Sequence, residues 1–327
     1  MAIEVAFIGA GGVAIPHLET LSKMRGVHVS AICDIARDRV VEIAERFGAN
    51  PYANYRTLLR KESPDAVYVC VYPAAHQTME LLLAQEGIPF FVEKPVHLDL
   101  TICRKVARTA ANKGLVTAVG YHFRSLKSTQ AARDFLKGKK IAQVHGSWFG
   151  GMPGVHWWRQ KGLSGGQLVE QTTHLVDLAR YLVGEIDSVY ALASKGVMTD
   201  VKKYSVEDTS VLAVRFNNGV VGAIRSGCIG GVHSRADVSL SIEGRDFTVR
   251  IDSEGAEIQA ENPSRVESGQ TWEEQLANGD KAFIQAVKDN DPSVVYCDYR
   301  DGANTLAVTL AGNESMKTGR PVKVRLL

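Results

Sequence analysis

Residues 3–14 read IEVAFIGAGGVA. Ile3–Ile8 is a short run rich in β-branched and aromatic side chains, the composition of a buried strand. Gly9-Ala10-Gly11-Gly12-Val13-Ala14 follows as G-x-G-x-x-A, and GVAIPHLETLSKM (12–24) then carries apolar residues at helical spacing. A glycine turn between strand and helix suits a dinucleotide. Gly9 permits the tight turn, Gly11 lets the backbone approach a pyrophosphate, and Ala14 is small enough for the helix to pack close. The helix start adds free N–H groups and the positive end of its dipole. A second strand-like run, VHVSAICD (27–34), ends on Asp34, whose carboxylate can accept from ribose hydroxyls. The same carboxylate would repel a 2′-phosphate, so NAD is expected in preference to NADP, with Arg37 partly offsetting that repulsion.

Outward from this turn the pattern repeats. Strand-like AVYVCVYP (66–73), PFFVEKP (89–95) and LVTAVGYH (115–122) alternate with helix-like RDRVVEIAERFG (37–48), AAHQTMELLLAQEG (74–87) and TICRKVARTAANKG (101–114). Strands alternating with helices over short connections predict βαβ units and a parallel sheet, and the unbroken apolar runs predict strands covered on both faces. Within FFVEKPVH (90–97) a buried strand ends in Glu93 and Lys94 and is stopped by Pro95, which cannot extend a ladder. In a parallel sheet that end faces the cofactor crevice, so Lys94 is expected near the nicotinamide. An X-Pro bond in such a turn can be cis.

The pattern changes after residue 121. SLKSTQAARDFLKG (125–138) reads as a helix. AQVHGSWFG, DSVYALASKG, TSVLAVRFNNGVVGAIRSGCI, ADVSLSIEG, DFTVRID and AEIQAE read as strands, with a hairpin turn at Asn217-Asn218-Gly219. Hairpins imply an antiparallel sheet, and helices are expected near 271–290 and 301–318. The domains are therefore 1–121, a dinucleotide-binding α/β Rossmann domain with a parallel doubly wound sheet, and 122–327, an α+β domain. In GGQLVEQTTHLVDLARYLVG (165–184) a helix is expected from the Gly165-Gly166 pair to Gly184, with Glu170 and His174 on one face and Asp177 beside them. No second His or any Cys joins them, so no metal site is expected.

Bulk properties exclude other classes. Of 327 residues, 45% are hydrophobic and 23% charged, and the formal net charge is +2 without a basic block, which disfavours nucleic acid and anionic membranes as partners. No apolar run reaches transmembrane length, and the start lacks the basic segment and small-residue site of a signal peptide. Five unpaired-looking cysteines suggest reduced thiols and a cytoplasmic setting.

IGAGGVA, ICDIARDR, VYPAAHQTM, VEKPVHLDL and VGYHFR follow one another in the order and spacing of the glucose–fructose oxidoreductase / inositol dehydrogenase (Gfo/Idh/MocA) family, and WWRQ, GGQLVEQTTHLVDLARYLVG and SMKTGRPVKV continue the resemblance to the end of the chain. The resemblance implies a large, mainly antiparallel open sheet in the second domain, available for a homodimer or homotetramer. It implies a nicotinamide-dependent oxidoreductase acting on a secondary alcohol of a sugar, polyol or inositol. It assigns the cofactor to Gly9, Gly11, Gly12, Val13, Ala14, Asp34, Arg37, Tyr72, Pro73, His76, Glu93, Lys94 and Pro95. Catalysis falls to Lys94, His174 and Glu170, with His174 as general base and Lys94 orienting the hydroxyl. Substrate contacts fall to Lys94, Tyr121, His122, Arg124, His156, Trp157, Gln171 and His174. Glu170 stands where the family has aspartate, Gln171 and Thr172-Thr173 depart from its glycine-containing version, and GYHFR replaces a common Phe-Asn-Arg-Arg. Two other readings share the fold: a sugar- or NAD-responsive regulator, and an NAD-dependent glycoside hydrolase or lyase that oxidises and re-reduces one carbon per turnover.

Overall fold

The computed structural model describes residues 2–231 and 233–327. The chain forms two compact units. The first comprises the chain up to His122 together with Gln270–Gly302, and the second comprises Phe123–Gly269 and Ala303–Leu327.

In the first unit, β1 (Ile3–Ile8), β2 (Val27–Cys33), β3 (Asn50–Tyr52), β4 (Ala66–Val69), β5 (Phe90–Val92) and β6 (Thr117–Val119) form one sheet in the order β3-β2-β1-β4-β5-β6. Every pairing in it is parallel. This is the doubly wound order whose topological switch lies between β1 and β4. β4, β5 and β6 are buried throughout, as the continuous apolar runs require. The edge strand β3 lies outside the sequence expectation: it is three residues long, contains Pro51 and has no apolar run.

The helix Trp272–Asp289 packs in this unit, whereas the sequence reading kept all of 122–327 in the second domain. The reason is burial. Phe283 packs edge-on against Tyr68 and Phe91, and Asp280 reaches His17. The helix starts at Thr271, whose side chain and that of Glu274 cap each other's backbone N–H.

The second unit holds β7 (Ile141–Phe149), β8 (Ile186–Ser194), β9 (Thr209–Phe216), β10 (Val221–Gly227), β11 (Asp237–Gly244), β12 (Phe247–Asp252), β13 (Gly255–Gln259), β14 (Ser264–Glu267) and β15 (Val322–Lys323). They form a nine-stranded sheet in the order β14-β13-β12-β11-β7-β10-β9-β8-β15. The expected β9–β10 hairpin turns at Gly219, with φ +90°. The sheet is mixed, because β7 and β10 run parallel at its centre. On β9, Ser210, Leu212, Val214 and Phe216 are buried while Val211, Ala213 and Arg215 are exposed, so one face packs inward and the other is uncovered.

Candidate active site

The glycine turn is shaped for close approach. Gly9 has φ +103°, and a Cβ there would lie 2.3 Å from the Cys70 carbonyl oxygen, so only glycine fits. Cβ atoms added at Gly11 or Gly12 would meet nothing within 4 Å, which leaves open space over the turn. The helix Ala14–Ser22 begins at Val13 with no side-chain cap, and Ala14 N–H turns back to Gly11 O at 3.0 Å, so the turn presents the positive end of the helix dipole to an anion. Pro16 falls in that first turn, where a missing N–H costs no intrahelical bond. These features fit a dinucleotide diphosphate.

Asp34 follows β2. Its Oδ2 accepts from Ala10 N at 2.8 Å and its Oδ1 from Ala36 N at 2.8 Å. The carboxylate thus fastens the glycine turn and retains lone pairs for ribose hydroxyls. Arg37 is exposed. Tyr72 and Pro73 enter a short 3₁₀ turn after β4, the strand next to β1. His76 is different: it is fully buried, with Nδ1 2.5 Å from the equally buried Glu80 Oε1. A ring so enclosed braces the turn before the helix Met79–Glu86.

At the end of β5 the Lys94–Pro95 bond is cis. Glu93 is buried, with Oε2 accepting from Lys94 N at 3.2 Å and Oε1 lying 3.3 Å from His17 Nε2. A Cβ on Gly120, beyond β6, would sit 2.1 Å from Glu93 Oε1, so glycine there makes room for the carboxylate. Lys94 itself is half-buried. His122 belongs to the same group. Burial pushes its imidazole down to about 4 against the pull of Glu93, with Lys94 adding to the fall, so it is neutral at neutral pH. Tyr121 is buried beside it in sequence.

The sequence reading missed His17 and Asp280. His17 Nδ1 lies 2.6 Å from Asp280 Oδ1, and both side chains are fully buried. Burial alone would lower the His17 pKa, but Asp280 and Glu93 together raise it to about 10. Burial holds the Asp280 carboxyl above its ordinary range, although His17 pulls it down. The 2.6 Å contact holds one proton. With a second carboxylate on the far side of the ring, that proton belongs to the imidazole. A signal was legible: Asp280 interrupts the apolar stripe of Leu276, Phe283 and Ile284 on its helix, where a charge needs a partner.

In the second unit the expected single helix from Gly166 to Gly184 is broken. Gln167–Glu170 forms one turn, Gln171 and Thr172 interrupt it, and Thr173–Val183 resumes. Thr172 N reaches back five residues to Gln167 O at 3.1 Å, a π-type turn of the kind that recurs at functional sites. The β-branched pair Thr172-Thr173 lowers helix propensity there. The expectation that Glu170 and His174 share a face was drawn from a regular helix, and the chain is irregular between them at Gln171 and Thr172. Glu170 is buried, and its charge helps hold the Cys228 thiol up at about 12, second to burial.

His174 is 4% exposed. Its ring stacks on Trp148 at 5.6 Å and 15°, and Phe123 lies 5.3 Å away, tilted. Gln171 is half-buried, and its Oε1 accepts from Cys228 Sγ at 2.6 Å. His156 is exposed and Trp157 half-buried, whereas Trp158 is fully buried against Val206 and Cys228. Arg124 is 2% exposed: its Nε and Nη2 each donate at 2.7 Å to Asp177, which also accepts from Thr305. A guanidinium so engaged is a strut for the His174 helix.

Among the described residues no group of three or more His, Cys, Asp or Glu is placed to hold a metal ion, and no helix is long and apolar enough to cross a membrane. All five cysteines are free and buried.

Comparison with known proteins supplies relatives for both units. Myo-inositol 2-dehydrogenase of Thermotoga maritima is 25% identical over 335 residues, covering 98% of each chain. Inositol 2-dehydrogenase of Rubrobacter xylanophilus is 24% identical over 345 residues, 99% of this chain and 94% of that one. Levoglucosan dehydrogenase, solved in complex with NADH, superposes with a TM-score of 0.88 over the full length of both chains at 19% identity, a likeness of fold. A family model described as an oxidoreductase family with an NAD-binding Rossmann fold matches residues 3–121, and one for the C-terminal alpha/beta domain of that family matches 138–324. Between them these matches span nearly the whole sequence, and the chain belongs to the Gfo/Idh/MocA oxidoreductase family.

Proposed function

We propose that the protein is an NAD-dependent dehydrogenase that oxidises a secondary alcohol on a polyol, inositol or sugar, or reduces the corresponding ketone. The observation that carries the reading is a coincidence on one sheet edge. The open glycine turn at the end of β1 and Lys94 at the end of β5 both lie at the C-terminal ends of parallel strands. That edge is where α/β sheets bind ligands. The relatives named for inositol and levoglucosan dehydrogenation support the substrate class.

Gly9–Ala14 and the following helix hold the diphosphate, and Asp34 receives the adenosine ribose. Asp34 favours NAD over NADP by charge. Bound there, NAD would supply the hydride acceptor. The chain's own part is proton handling and charge. His174 takes the proton of the hydroxyl, and Lys94 donates a hydrogen bond that holds the oxygen and offsets its growing negative charge. Trp148 and Phe123 wall the His174 ring, fixing its plane and excluding water from it. Neighbouring hydroxyls fall to neutral His122, close to Lys94, and to Gln171, and further contacts to Trp157 and His156. Tyr72, Pro73, Glu93 and Pro95 shape the cofactor side.

The uncovered sheet face supports self-association, as a dimer or tetramer. Leu192 pairs with Val211, and Tyr190 with Ala213, and all four point outward with Val221. Such an apolar patch is covered most simply by a second copy. The reduced, buried thiols support a cytoplasmic setting.

The test of the activity is a screen of inositols, hexoses, pentoses and sugar acids for NADH formation. Stoichiometric NADH supports the reading. Net hydrolysis with no NADH accumulating, or NAD binding without turnover of any of them, contradicts it.

A further inference from the structure

Four groups lie in a row inside the first unit. Asp280 Oδ1 is 2.6 Å from His17 Nδ1, His17 Nε2 is 3.3 Å from Glu93 Oε1, and Glu93 Oε2 accepts from the backbone N–H of Lys94 at 3.2 Å. From this geometry we propose that Asp280 and His17 are positioning residues for Lys94, acting through Glu93 as a buried chain that fixes the loop carrying the lysine. The inference rests on the reading of Lys94 as a group that serves hydride transfer.

Burial makes the chain costly to keep unless it has a task. Asp280 and His17 are fully enclosed and Glu93 is 4% exposed. Tyr68 and Phe91 wall the imidazole, with ring centroids at 5.5 and 5.2 Å. A buried ion pair of this kind is commonly no more stabilising than packed hydrocarbon of the same volume. An aromatic or aliphatic trio would serve the packing of Phe283, Tyr68 and Phe91 at least as well. What hydrocarbon cannot do is hold a carboxylate oxygen against one particular amide, and Glu93 does that for Lys94.

His17 sits between the carboxyl groups of Glu93 and Asp280, and the two raise its imidazole against burial. His122, which faces Glu93 and Lys94, is neutral. Tyr68 and the Cys70 thiol, which also sense Asp280, keep their protons because burial, Asp280 and, for Cys70, Glu93 hold them well above their ordinary values. Removing the charge of Asp280 leaves Glu93 as the one carboxylate on the ring, and the ring is no longer held from behind. Glu93 is then free to turn from the Lys94 amide, and the ammonium loses its fixed origin.

The arrangement also accounts for Gly120. Any side chain there would enter the space of the Glu93 carboxylate, from 2.1 Å to Oε1 and 3.0 Å to Oε2. Gly120→Ala therefore attacks the chain from its opposite end without touching a charge.

The experiment is a double-mutant cycle read on turnover, with NADH affinity measured beside it. Asp280→Asn should lower kcat about tenfold while NADH affinity changes less than about threefold, because the phosphate turn is untouched. In a Lys94→Ala background, the same change should cost less than about twofold more, since the group it positions is gone. Gly120→Ala should repeat the pattern if Asp280→Asn fails to fold. Equal losses with and without Lys94 would show a general effect on the fold and overturn the proposal. So would unchanged kcat in both variants. The His17 ring nitrogens, read by NMR in the unmodified protein, test the chain without turnover: two protonated nitrogens at about pH 8 support it, and a neutral ring overturns it. Should Lys94→Ala keep full turnover while His17 is protonated, the role given to Lys94 fails and with it the positioning role, although the buried chain itself stands.

Discussion

Arg124 and Asp177 are joined by two parallel hydrogen bonds of 2.7 Å, and neither side chain is more than 3% exposed. The pair ties the short 3₁₀ turn His122–Ser125 to the His174 helix Thr173–Val183.

Arg124→Ala leaves a buried carboxylate that keeps only the Thr305 hydroxyl from this group. Breaking such a pair costs about 3–5 kcal/mol. Chemical denaturation should show a loss of that size. Arg124→Lys should recover only part of it, because an ammonium cannot form the two-pronged contact. A stability change within about 0.5 kcal/mol, the range of an ordinary surface substitution, would contradict the strut role.

His17 gives a stability term with a defined pH window. Its folded pKa is raised from 6.5 to about 10, so the imidazolium stabilises the fold fully below about 6.5 and its contribution is lost as pH rises through about 10. The difference in urea midpoint between the unmodified protein and His17→Gln should therefore shrink as pH rises from about 7 toward 10. A difference independent of pH over that range would place the ring in the fold as a neutral group.

Asp34 has two tasks, and its removal should show both. NAD should bind more tightly than NADP to the unmodified protein. Asp34→Ala should narrow the ratio about tenfold or more, on the scale of a hydrogen bond to a charged group. It should also weaken NAD binding itself, because Ala10 and Ala36 lose their acceptor. Equal affinity for the two cofactors before substitution would contradict the assignment.

The outward face of β8, β9 and β10 should be an interface. Light scattering should give a dimer or tetramer at micromolar concentration, and Leu192→Lys with Val211→Lys should dissociate it while leaving the thermal midpoint of the first unit unchanged. A monomer before substitution would contradict self-association through this face.

The first half was legible because strands buried on both faces must be apolar throughout, so periodicity and glycine turns sufficed to find five of its strands. The Asn50–Tyr52 strand was hidden because an edge position demands no apolar run. Resemblance to the family, not local pattern, singled out Lys94 and His174 as candidates. It did not find the partners of the first. His17 and Asp280 lie 263 positions apart, and only the fold brings them together. The parallel β7–β10 pair was hidden for the same reason: a hairpin announces antiparallel pairing in its turn residues, while a long-range parallel pairing leaves no local mark. The break at Gln171-Thr172 left a trace in the two threonines, but the hydrophobic rhythm runs on through it, and rhythm was the stronger signal.

The central claim is that Lys94 and His174 serve one hydride transfer. Its most direct measurement is the rate of NADH formation from the best polyol substrate in Lys94→Ala, His174→Ala and the double variant. Each single change should lower kcat about a hundredfold or more, the scale of a lost acid–base group, with NAD affinity nearly unchanged. The double variant should be little slower than the worse single one, because residues that work as a unit are lost as a unit. Near-normal turnover in either single variant, or losses that multiply in full, would contradict it.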